Sequence, residues 1–84
     1  GNFHMLYVLD PNSASELEVA KRLNDRLVDR ALAMDGTCTG EHGIGSGKMA
    51  SLVKEHGAGV DVMRAIKRAL DPDNRMNPGK VIPG

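Results

Sequence analysis

Phe3-His4-Met5-Leu6-Tyr7-Val8-Leu9 is the stretch on which the fold class turns. It is short, apolar and β-prone, and Asp10-Pro11-Asn12-Ser13 closes it with residues that stop a strand and start a turn. Read as a strand, it places Phe3, Met5, Tyr7 and Leu9 on one face and His4, Leu6 and Val8 on the other. Both faces are mostly apolar, so the strand is expected to be covered on both sides. His4 then lies near the strand start, where its ring can look out of the sheet into a site. A lone strand edge invites pairing, so self-association of the chain is expected.

Everything after this stretch reads as helix or loop. Ser13 or Ser15 can cap a helix in which Leu17, Ala20, Leu23, Leu27, Ala31 and Met34 recur at helical spacing, ending near Asp35-Gly36. Glu18 with Arg22 and Lys21 with Asp25 form four-residue charge pairs on its outer face. A second helix is expected from about Lys48 to Glu55, burying Met49, Leu52 and Val53, with Gly57 and Gly59 breaking it. A third, over about Val60 to Leu70, turns Met63, Ile66 and Leu70 inward, and Asp71-Pro72 ends it. Asn77-Pro78-Gly79 is a turn signal. One strand followed by three helices is an α+β arrangement, and all of residues 1–84 belong to one small domain.

Composition narrows the partners. Eleven basic residues balance eleven acidic ones, and there is one Tyr, one Phe and no Trp. Neither a basic surface nor an aromatic stacking platform is available, which argues against a nucleic-acid partner. No apolar run is long enough to span a bilayer. A single cysteine, Cys38, cannot form an internal disulfide, and no secretory or transit signal is visible. These features suit a cytoplasmic location. The sparse aromatic content and the absence of an initiator Met lead us to expect a piece of a longer protein.

Between the first two helices lies Gly-Thr-Cys-Thr-Gly-Glu-His-Gly-Ile-Gly-Ser-Gly-Lys, residues 36–48. Its five glycines disfavour helix and let the backbone approach a ligand closely. The phosphate-binding patterns fail here. Met49 follows Gly47-Lys48 where a hydroxyl residue is required, and His42 stands where the first turn glycine belongs. What remains is Glu41-His42 framed by glycines: a carboxylate and an imidazole that can point in different directions, one toward a metal and one toward a substrate. His4 is a further imidazole, though His4 plus Glu41 falls one short of the three protein ligands common at catalytic Zn²⁺. His56, at a helix end, is explained by the helix dipole.

Gly-Asn-Phe-His at 1–4, Gly-Glu-His-Gly-Ile-Gly at 40–45, Lys48, Leu70-Asp71-Pro72 and Asn77-Pro78-Gly79-Lys80 occur together and in order. In this the chain resembles the C-terminal end of the FAD-linked oxidases of the D-lactate dehydrogenase, glycolate oxidase and D-2-hydroxyglutarate dehydrogenase group. The resemblance covers essentially the whole chain. It implies that His4 corresponds to the second histidine of a metal-ligating His-x-Gly-Asp-Gly-Asn-x-His motif, the first lying upstream of Gly1. It further implies that Glu41 is a metal ligand, that His42 stands beside the substrate as a base, and that Asn77 lies close to the flavin.

The implied fold is the end of a larger ferredoxin-like substrate-binding domain. The implied reaction is oxidation of a small D-2-hydroxy acid, of the D-lactate or glycolate type, to a 2-oxo acid. FAD would be bound mainly by a domain N-terminal to this region, with a divalent metal (Zn²⁺, Mn²⁺ or Fe²⁺) assisting and a quinone or cytochrome accepting electrons. By itself the chain would be inactive, and the full-length protein could sit at the inner face of a membrane. The alternative reading is a non-catalytic helical interaction or oligomerisation module. A metal-dependent hydrolase lacks support, since there is no HExxH motif.

Overall fold

The structure, a computed structural model, describes all 84 residues and is entirely helical outside its loops. Helix α1 spans Ala14–Ala33, α2 Met49–His56 and α3 Gly59–Leu70. The expected α+β class is therefore corrected: residues 3–9 run as irregular backbone and form no strand. The physical reason is that β-propensity reports fit to a pleated neighbour, and a strand exists only with a ladder partner. None of the other segments is strand, so no sheet forms. Nor is the stretch covered on both faces, because Leu6 is 89% and Val8 104% exposed.

The chain divides into two compact units, Gly1–Glu41 and His42–Gly84. In the first, Ser13 is the N-cap of α1, its Oγ accepting the Glu16 N–H at 3.3 Å. Glu16 reaches back, Oε2 accepting the Asp10 N–H at 2.7 Å, so two backbone donors at the helix entrance are satisfied. Arg30 lies in the last turn, where the dipole favours a cation. The apolar stripe read from the sequence is present, yet α1 buries no residue. Nothing in this unit lies over the stripe fully: residues 6–9 and α1 flank an open groove of about 440 Å³.

The second unit holds the core. Helices α2 and α3 pack together, and Leu52 and Val60 are the buried apolar residues. Gly57, at φ 52°, caps α2, and its carbonyl accepts the Val60 N–H at 3.1 Å, which turns the chain directly into α3. Gly59 opens α3 and does not act as a breaker. The expected inward stripe of α3 is only partly realised, since Ile66 and Leu70 remain exposed. Residues after the last helix return onto the unit. The Val81 N–H donates to the Gly45 carbonyl at 2.6 Å, and Arg64 Nε donates to the Pro83 carbonyl at 2.8 Å. Val81 has φ 63°, a left-handed conformation rare for a β-branched residue.

Candidate functional site

His4 and Glu41 meet within the first unit. His4 Nε2 lies 2.6 Å from Glu41 Oε1, and both side chains are about half exposed, at 57% and 53%. An imidazole nitrogen and a carboxylate oxygen thus converge on one point open to solvent. Gly40 permits this approach: a Cβ there would overlap the Asn2 amide, with Asn2 Cγ at 2.8 Å. The Gly1–His4 motif and the Gly40–Glu41 motif touch here because one of their residues has no side chain. Imidazole with carboxylate is a donor set that divalent Zn²⁺, Mn²⁺ and Fe²⁺ all accept, so these residues fit a cation.

His42 follows Glu41 directly in the chain and is exposed at the start of the second unit. The peptide bond keeps its Cα about 3.8 Å from that of Glu41. Gly43 and Gly45 beyond it have φ 77° and 54°, which only glycine adopts without strain. Ile44 between them is half-buried and accepts the Lys48 N–H at 3.2 Å, anchoring the loop to the start of α2. The loop is therefore held at its base while His42 stays open.

Asn77 is exposed in the second unit, at φ 45°. Its carbonyl accepts the Lys80 N–H at 3.2 Å across Pro78 and Gly79, the latter at φ 73°. Proline then glycine at the two central positions is the sequence chemistry of a tight turn with a left-handed second centre.

Asp71 contributes more than the sequence suggested. It terminates α3, and its carboxylate accepts from Lys67 Nζ, from the Arg75 N–H at 2.9 Å and from the Met76 N–H at 2.9 Å. The bond from the Lys67 ammonium, with those two backbone donors, holds its pKa down at about 2 against an ordinary 3.8. The side chain is 8% exposed. The signal was available in outline: an Asp before Pro, with a Lys one helical turn earlier. Its reach to residues 75 and 76 depends on how the loop closes.

Residues 1–81 match the family of FAD linked oxidases, C-terminal domain, and the chain belongs to that family. Among similar proteins, a probable mitochondrial D-lactate dehydrogenase of Danio rerio is 58% identical over 98% of this chain. The mitochondrial D-lactate dehydrogenase (cytochrome) of Arabidopsis thaliana is 54% identical over 99% of it. The glycolate oxidase subunit GlcD of Bacillus subtilis is 38% identical over 96%. The chain spans 17%, 15% and 17% of the length of these relatives. The expectation of a cytoplasmic location is corrected by these names, since the more similar relatives are mitochondrial proteins.

Proposed function

We propose that this chain forms the metal- and substrate-facing part of an FAD-dependent dehydrogenase that oxidises a D-2-hydroxy acid, D-lactate first, to the 2-oxo acid. The observation that carries the reading is the 2.6 Å approach of His4 Nε2 to Glu41 Oε1, two residues from separate sequence motifs. Family membership and the names of the relatives support the substrate class, with glycolate as the smaller alternative. The names also support a mitochondrial setting and a cytochrome as electron acceptor, with a quinone as the other candidate.

When bound, a divalent cation supplies Lewis acidity toward the substrate hydroxyl and FAD supplies the acceptor for the Cα hydride. His4 and Glu41 hold the cation. The His42 imidazole takes the hydroxyl proton at a ring nitrogen as the C–O bond becomes C=O. Gly43, with nothing within 4 Å of where a Cβ would stand, leaves room for the substrate. Asn77 presents an amide, both donor and acceptor, to the flavin. The exposure of Phe3, Met5, Leu6 and Val8 supports self-association of the isolated chain, which sedimentation would read directly.

The test is anaerobic reduction of the flavin in the full-length protein. D-lactate should bleach the oxidised flavin band faster than glycolate or D-2-hydroxyglutarate. No bleaching by any of the three would overturn the reading.

A further inference from the structure

Both peptide groups of Met76 are held by one ion pair. Asp71 accepts the Met76 N–H at 2.9 Å, while Lys67 Nζ donates to the Met76 carbonyl at 2.6 Å and to the Asp71 carboxylate. Asp71 also accepts the Arg75 N–H through its other oxygen, and its own carbonyl accepts the Asn74 N–H at 3.0 Å. The loop from 71 to 76 is thereby closed onto the last turn of α3.

The Met76 carbonyl belongs to the peptide plane that enters Asn77. Fixing that plane on one side, and the Asn77 carbonyl by Lys80 on the other, leaves the Asn77 Cα little rotational freedom. Asn77 sits at φ 45°, a conformation that costs a non-glycine residue energy and persists where its surroundings impose it. The ion pair supplies that imposition. A helix terminator alone would need only the Asp71–Pro72 backbone signal. It would not need a lysine reaching past the carboxylate to a carbonyl nine positions along the chain.

We propose that Lys67 and Asp71 are positioning residues that aim the Asn77 side chain at the flavin, acting on the flavin through Asn77 and without touching it. This rests on the proposed placement of Asn77 beside the flavin, and the experiment separates the two claims.

The full-length holoprotein is prepared with Asn77→Ala, Asp71→Ala, Lys67→Met, and the doubles Asp71→Ala/Asn77→Ala and Lys67→Met/Asn77→Ala. The readouts are the visible spectrum of the bound flavin, its midpoint potential and the dissociation constant for FAD. Asn77→Ala should shift the spectrum and weaken FAD by roughly two- to tenfold, the worth of one hydrogen bond. Asp71→Ala and Lys67→Met should shift the spectrum in the same direction, and each double should go no further than Asn77→Ala alone. Lys67→Arg, which keeps a charged donor, should restore the wild-type spectrum.

Additive shifts in the doubles, or wild-type flavin in Asp71→Ala and Lys67→Met beside a shifted Asn77→Ala, would overturn the positioning role alone. Wild-type flavin in Asn77→Ala would overturn the Asn77 assignment and the positioning role with it. If Asp71→Ala does not fold, the Lys67→Met series decides the matter, because it leaves the carboxylate and its backbone bonds in place.

Discussion

His4 Nε2 and Glu41 Oε1 stand 2.6 Å apart, although α1 and its flanking turns separate them in the chain. Two half-exposed groups that close do not contribute much to stability as a surface pair. As an imidazole–carboxylate donor set they fit a divalent cation, the role proposed for them. In the full-length protein, Glu41→Ala and His4→Ala are expected to lose bound divalent metal while FAD stays bound, read by elemental analysis beside the flavin absorbance. Metal retained at wild-type stoichiometry in both variants would remove the pair from the site.

Gly40→Ala tests the approach between the two motifs. The added methyl would overlap the Asn2 amide, but Asn2 is exposed and its side chain can turn away. Metal binding should weaken, and by less than in Glu41→Ala. A loss as complete as that of Glu41→Ala would mean that the backbone itself, and not the Asn2 side chain, gives way.

His42→Ala should separate proton transfer from binding. Removing a general base costs about 10²- to 10⁴-fold in turnover, and metal and FAD should remain bound. An unchanged rate of flavin reduction by substrate would exclude His42 as the base.

Asp71 sets a pH dependence. Its folded pKa of about 2 lies below the ordinary 3.8, so its stabilising effect is full above the ordinary value and is lost as pH falls through the folded one. Hydrogen-exchange protection of the Arg75 and Met76 amides, corrected for intrinsic rates, should fall between pH 3.8 and about 2. Asp71→Asn should abolish that pH slope. Equal slopes in wild type and variant would show that another group titrates there.

Local stability should concentrate in few places. Leu52 is 5% exposed at the α2–α3 contact, and Leu52→Ala should destabilise its unit by about 2–5 kcal/mol. Ser13→Ala removes the N-cap acceptor of α1 and should cost about 0.5–2 kcal/mol. Leu6→Ala, at an 89% exposed position, should change chemical-denaturation stability little.

The three helices were legible in the sequence because local chemistry fixes them: Ser13 caps, Gly57 and Asp71 terminate, and apolar residues recur at helical spacing. The Gly36–Lys48 loop was legible for the same reason, and so was the Asn77-Pro78-Gly79 turn. The strand expected at 3–9 does not form, because Val, Tyr and Phe report a preference for a pleated neighbour that no other segment of this chain supplies. Burial was overestimated along α1 and α3 for a related reason: periodicity identifies the face a helix would bury and says nothing of whether another layer covers it.

The sequence by itself determined where helices start and stop, which loop stays unwound, and, through ordered motifs, which family the chain belongs to. Those are matters of neighbours along the chain, settled within a few residues. The tertiary structure alone decided that His4 reaches Glu41, that Gly40 makes room for Asn2, and that Lys67 and Asp71 grip the peptide before Asn77. Such contacts depend on how loops close in space, which a one-dimensional pattern does not encode.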